Sequence, residues 1–428
     1  MFRARILTVL AAFGLAGPAL ACDLPATRPS FVDTAPRAGF DTARFADEVA
    51  EALGDRFMGY AVTLRARSGA VIAQVNRGYA RTPCEDGGAK TFNGRTVSPI
   101  GSVSKALTAA TVIHRAETLD SVSLDDPFRD YLPARWRPAL HASLDPVTLR
   151  NLLEHRGGFA KSGKTLWGHE FTLEERYALG EESYLVRAQD IAKGSRTCVP
   201  APVTRRCYAN TSFALWNVST ASLTPRKWAT IEAAYQPGEI TYDSYLLVHA
   251  YRLYRETVEK VLFDPLDVSG GCNVYTDPMH RAFTYDGPDS ERGTDRADPG
   301  RPCAIGGWFM STRDLSAVIH RIATTREVID ANHDLMFSSG DDRLVFASRT
   351  RVADGFAVAH NGSRWGGDAK AEVIVFPNGY VAAAIANSSA GGAGPNLRGA
   401  LVRGYDAAVT PTVRVPTPGD IGLARPTP

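Results

Sequence analysis

Ile100-Gly101-Ser102-Val103-Ser104-Lys105-Ala106-Leu107-Thr108 is the stretch at which this chain passes from strand-type to helix-type sequence. Upstream, the apolar spacing predicts a helix over 42–53. Two strand patterns follow, Tyr60-Ala-Val-Thr-Leu-Arg-Ala and Ala70-Val-Ile-Ala-Gln-Val-Asn, joined through Ser68-Gly69 as a hairpin. Downstream, 108–117 continues a helix that begins near Ser102, and Val147-Thr-Leu-Arg-Asn-Leu-Leu-Glu carries a second apolar stripe at helical spacing. Strand patterns return only late: Ala371-Glu-Val-Ile-Val-Phe-Pro and Tyr380-Val-Ala-Ala-Ala-Ile-Ala-Asn flank Asn378-Gly379, a strong short hairpin signal, and 396–409 reads as a closing helix. Strands at both ends with helices between them predict a discontinuous α/β lobe, about 36–101 and 305–409, set against a mostly helical lobe of about 102–304. The crevice between the lobes is the natural place for a site.

The composition belongs to a globular protein: 428 residues, 44% hydrophobic and 22% charged. With 48 basic and 46 acidic residues the net charge is only +2, and no Lys/Arg run is interleaved with aromatics, which argues against nucleic acid as a partner. Arg3 and Arg5, an apolar stretch over 6–15 and Ala19-Leu20-Ala21 read as a signal peptide over 1–21, with the mature chain starting at Cys22 in the periplasm or outside the cell. A membrane anchor fits poorly, because Gly14, Gly17 and Pro18 break a short stretch. A lipid on Cys22 fits poorly too, because Ala19 and Leu20 depart from the usual lipoprotein sequence. Six cysteines in an exported chain allow three disulfides and 15 pairings. Short loops favour Cys198 with Cys207 and Cys272 with Cys303, leaving Cys22 for Cys84. The polar stretch 286–302 reads as a stapled surface loop, and 410–428, with five prolines, as a tail. No His, Cys or carboxylate spacing suggests a metal site.

Ser102 and Lys105 stand three residues apart at the start of an apolar helix, so a hydroxyl and an amine share one face. A neutral amine there can take the serine's proton, whereas the bland reading makes Ser102 a cap and Lys105 a solvated residue. Tyr208-Ala209-Asn210 is the only Tyr-x-Asn in the chain. A phenol near an ammonium can relay a proton, and Asn210 offers a donor and an acceptor to a substrate amide. His360-Asn361-Gly362-Ser363-Arg364 precedes the last strand pair, where Gly362 would let a substrate approach an edge backbone. The same His-x-Gly pattern recurs at His155-Arg156-Gly157. Gly158-Phe-Ala-Lys-Ser-Gly-Lys-Thr165 matches a phosphate loop in letters only, since it follows a helical segment rather than a strand.

Taken in order, these motifs resemble the serine hydrolases of the β-lactamase and penicillin-binding type, nearest to class C β-lactamases and their esterase and D-peptidase relatives. The resemblance extends to Leu124-Asp-Asp-Pro with Tyr131-Leu-Pro, Val147-Thr-Leu-Arg-Asn-Leu-Leu-Glu-His-Arg-Gly-Gly, Phe263-Asp-Pro-Leu and Gly306-Gly-Trp-Phe-Met-Ser-Thr-Arg-Asp-Leu, covering about 45–387. It implies an α/β (α+β) fold of the DD-peptidase/β-lactamase kind within 22–409, with an antiparallel sheet, flanking helices and a helical lobe. It also implies Ser102 as the acylated nucleophile, Lys105 and Tyr208 as its proton relay, and Asn210 orienting the acyl side chain. His360 takes the third motif, and the N–H groups of Ser102 and Ser363 form the oxyanion hole. No cofactor is implied, and the partner would be a small-molecule or peptide substrate, with cell-wall fragments among the candidates.

Two departures bear on substrate. Relatives with Lys at the third motif use it to attract a carboxylate, whereas His360 is mostly neutral at pH 7, which turns the expectation toward an esterase, amidase or D-aminoacyl peptidase. Arg364 would compensate if it faces the cleft. An added stretch, 219–247, either lines the cleft with Trp228, Tyr235, Tyr242 and Tyr245 or packs as an ordinary helical hairpin. The alternative from a different class is a catalytically poor scaffold that binds cell-wall peptides.

Overall fold

The computed structural model describes residues 23–409 except 33–38, 135, 140–144, 158–164, 167–168, 171–205, 207, 239, 241, 273–276, 278, 296–302, 338–343, 347 and 365–367. The expected signal peptide, the proline-rich tail and the Gly158 motif's loop lie outside the described residues, as do Cys22, Cys198 and Cys207.

Helix α1, Thr42–Leu53, begins where the Asp41 carboxylate accepts the Arg44 N–H and ends at Gly54, whose φ of 51° a residue without Cβ adopts freely. Its Phe45, Val49 and Leu53 are buried against the sheet and against α7, Leu397–Ala408, capped in the same way by Asn396 on the Gly399 N–H. The two helices are close neighbours because Gly404 presents no side chain: a Cβ there would lie 3.0 Å from the Phe45 carbonyl.

The main sheet is antiparallel and unites both chain ends. Strands β1 (Ser30–Val32), β2 (Gly59–Arg65), β3 (Val71–Arg81), β4 (Ser348–Val352), β5 (Gly355–Arg364), β6 (Ala369–Val375) and β7 (Val381–Ala386) run in the spatial order β1-β3-β2-β7-β6-β5-β4. A short strand, Lys90–Thr91, pairs with β3. The junction is β2 with β7, in a register that sets Val62 opposite Ala384. Both are buried almost throughout, as strands covered on two faces must be. The two expected hairpins form at glycines in the left-handed region, Gly69 at φ 86° and Gly379 at φ 82°. Strand β3 is longer than the sequence pattern indicated, because Gly78 at φ 81° carries it past Asn76 to Arg81.

The opposite face of the sheet packs on helices from the middle of the chain. Helix α2, Ser104–Thr118, is buried over its first ten residues, which makes it the central element of the larger core rather than a surface helix. The expected 147–154 helix is shorter, α3 at Leu149–Leu153, opened by a reciprocal cap between Thr148 and Asn151. Around α2 lie α4, Asn210–Ser219, and α5, Tyr242–Val258. The added stretch adopts the packing alternative in part: buried Trp228 donates its ring N–H to the Tyr131 carbonyl. Helix α6, Thr312–Thr324, covers β2 and β7. A small three-stranded sheet connects the two layers, with Trp308–Met310 between Ser98–Pro99 and Gly271–Cys272.

Candidate active site

Ile100 lies at the end of this small sheet, its N–H on the Trp308 carbonyl, and the chain then turns into α2 through one tight turn, Gly101–Val103. Gly101 has φ of 51°, and a Cβ on it would stand 2.6 Å from the Ser363 nitrogen. From the other side, a Cβ on Gly362 would stand 2.0 Å from the Ile100 carbonyl and 2.9 Å from the Ser102 nitrogen. Two glycines thus let strand β5 lie backbone to backbone against the turn that carries Ser102. This corrects the sequence reading of Gly362: its missing side chain makes room for the turn that carries Ser102.

Ser102 is half-buried at the start of the helix, and its Oγ has two partners. Lys105 Nζ lies 3.1 Å away and donates to the Ile305 carbonyl at 2.7 Å, while Tyr208 Oη lies at 2.8 Å from Oγ. Lys105 has no exposed surface, which excludes the solvated-lysine reading. Tyr208 arrives from just before α4, with Asn210 as that helix's first residue, and its ring lies 5.2 Å from Lys105 Nζ and 4.5 Å from the His155 ring.

His360 is buried on β5 with Nε2 2.8 Å from the Ser102 carbonyl. Burial, reinforced by the positive charge of Lys105, pushes its pKa down to about 3 against the pull of the Ser102 bond. The neutral imidazole therefore donates Nε2–H to the Ser102 carbonyl. The expectation for Arg364 is corrected. It is buried, donates to the Gly306 carbonyl at 2.9 Å and lies over the Phe309 ring, because even-numbered positions of β5 face the helical layer. Ser363, between them, is exposed.

Three carbonyls of one turn, Cys303–Gly307, receive the site's buried donors: Ala304 that of Thr108, Ile305 that of Lys105 and Gly306 that of Arg364. Thr108 also bonds the Tyr254 hydroxyl, which accepts the Trp308 ring N–H. Cys303 at the head of the turn forms the expected disulfide with Cys272, and Tyr251 Oη lies 3.2 Å from its Sγ. Cys84 is disulfide-bonded as well. Sequence reasoning missed Ile305, Thr108 and Tyr254, since a backbone acceptor leaves no signature in residue type.

An antiparallel sheet from both chain ends, a buried helical layer and a serine bonded to a lysine one turn on and to a tyrosine from a distant segment define the DD-peptidase/β-lactamase class of fold. Comparison with known proteins agrees with that class. Residues 47–231 match the family model described as Beta-lactamase. Among solved structures, the D-amino acid amidase from Ochrobactrum anthropi SV3 complexed with D-phenylalanine is similar at 16% identity, covering 85% of this chain and 98% of its own, with a TM-score of 0.58. The octameric penicillin-binding protein homologue from Pyrococcus abyssi is similar at 18% identity, 82% and 74% coverage and a TM-score of 0.54. The class C beta lactamase from Rhodobacter sphaeroides is similar at 18% identity, 85% and 97% coverage and a TM-score of 0.51. No curated protein matches the chain in sequence.

Proposed function

We propose that the protein is an exported serine hydrolase that forms an acyl-enzyme at Ser102 on esters or amides. The observation that carries this reading is the pair of contacts on Ser102 Oγ, 3.1 Å from Lys105 Nζ and 2.8 Å from Tyr208 Oη. As Oγ bonds to the scissile carbonyl carbon, its proton passes to the Lys105–Tyr208 pair. On collapse the C–N or C–O bond breaks, and the departing group takes that proton. Water then attacks the acyl ester, gives a proton to the same pair and releases the acid, restoring the Ser102 hydroxyl. The N–H groups of Ser102 and Ser363 receive the developing oxyanion, a role supported by the contact of Ser363 with Gly101. Asn210 orients the acyl group.

The substrate is an ester or amide with no carboxylate beside the scissile bond, of which D-aminoacyl amides and esters are the leading class. A neutral His360 and a buried Arg364 support this, since neither offers a fixed, open cation where the relatives with Lys attract a carboxylate. The Cys272–Cys303 disulfide supports export to an oxidising compartment, and no helix among the described residues is long and apolar enough to cross a membrane.

The test is intact-mass spectrometry before and after a fluorophosphonate, with peptide mapping. One adduct on Ser102 is expected, absent in Ser102→Ala, and Lys105→Ala should slow its formation about 10²- to 10⁴-fold. No adduct on the folded protein, or one that survives Ser102→Ala, would overturn the reading.

A further inference from the structure

We propose that His155 is a positioning residue, whose buried imidazole holds the Tyr208 phenol against Ser102 Oγ. The inference rests on the acyl-enzyme reading above. It starts from the second His-x-Gly of the sequence, which stands just after α3 rather than on the strand that carries the first. His155 follows α3 in the left-handed region, at φ 57°, a conformation that residues with a Cβ rarely adopt. Asp267 is the one other non-glycine residue with positive φ among those described. Strain of this kind persists only where surrounding contacts hold it, and here it aims a ring into the core.

Three contacts of that ring lie in the segment that delivers the phenol. Its centroid is 4.5 Å from that of Tyr208 and 5.0 Å from that of Phe213, the latter on α4. Its Nδ1 lies 3.1 Å from the Ala209 carbonyl and 3.3 Å from the Ala209 nitrogen. One side chain therefore fixes both the ring of Tyr208 and the peptide that follows it. Tyr208 is 52% exposed and His155 2%, so the imidazole meets the phenol from its buried side. Neither a plain aromatic nor a plain amide meets the whole requirement, because the position calls for a flat face toward the phenol and a polar atom toward the Ala209 peptide. Burial, with the charges of Lys105 and Arg206 added, holds the imidazole well below its ordinary pKa, so it adds no cation beside Lys105.

The experiment is a double-mutant cycle on the rate at which a fluorophosphonate phosphonylates Ser102, with loss of fluoride, taken as the measure of acylation. His155→Asn tolerates the left-handed backbone and keeps a polar atom but loses the ring; His155→Phe keeps the ring and loses the polar atom. Each is expected to slow acylation about 10- to 100-fold, the scale of a misplaced catalytic group. Combined with Tyr208→Phe, neither should slow it beyond Tyr208→Phe alone, since a residue that acts through the phenol has nothing left to position. A general loss of structure would instead lower the rate equally in both backgrounds. Additive losses, or single variants within twofold of the parent, overturn the His155 assignment while the acyl-enzyme reading stands. A parent that is not acylated overturns both.

Discussion

At His360 three cationic neighbours oppose protonation and one hydrogen bond favours it, and burial outweighs them all. The consequence for stability has a definite sign. The folded imidazole has a pKa of about 3, while in the unfolded chain it returns to about 6.5. Between those values the unfolded chain binds a proton that the folded protein refuses, so stability is complete above pH 6.5 and is lost as the pH falls toward 3. The contribution is on the order of 5 kcal/mol. His155 acts in the same direction. Glu372 acts in the opposite one: burial pushes its carboxyl up to about 7 despite the Arg398 guanidinium 2.9 Å away, so its contribution is present below pH 4.5 and lost as the pH rises through 7. Melting temperatures measured from pH 7 down to pH 4 should fall less steeply in His360→Gln than in the parent and more steeply in Glu372→Gln. Equal slopes in all three proteins would mean that neither group titrates differently on folding.

Among the elements, the turn Cys303–Gly307 does most to place the lysine, because its successive carbonyls bind Thr108, Lys105 and Arg364. It is held at one end by the disulfide to Cys272 and at the other by the Trp308–Met310 strand. Replacing both cysteines, Cys272→Ser with Cys303→Ser, should lower the acylation rate about tenfold or more through the loosened Ile305 carbonyl and cost about 2–4 kcal/mol in urea unfolding. A variant destabilised by that amount yet acylated at the parent rate would remove the turn's role in placing Lys105. The pairing itself was legible in the sequence from its short loop, as were α1, α7 and both glycine hairpins, where spacing and capping residues act locally. What the turn does was not legible. Its acceptors are peptide carbonyls, and its donors come from far along the chain, Lys105 from 200 positions away, Thr108 from 196 and Arg364 from 58, a relation that periodicity does not encode.

For the molecule as a whole, the site exists only where the two layers meet. Ser102 and Lys105 lead the central helix, Tyr208 comes from the segment before α4, and His360 comes from the sheet, so the proposed acylation would report the docking of sheet on helices as much as the chemistry of any residue. The motifs named the side chains that the fold brings together because each carries its chemistry in its type. Gly362 and Arg364 were misread because their surroundings are set by a contact between distant backbones. That contact is testable. A methyl group at Gly362 would meet the Ile100 carbonyl at 2.0 Å, on backbone that cannot step aside without parting the strand from the turn that carries Ser102. Gly362→Ala should therefore lose about 1–3 kcal/mol or more in urea unfolding, as overpacked cores do, and slow acylation about 10²-fold by displacing Ser102. Gly87→Asn, at a positive-φ glycine with nothing within 4 Å, is the control and should leave acylation unchanged. If Gly362→Ala is acylated at the parent rate, the sheet does not fix the serine, and the close approach of the two layers serves stability alone.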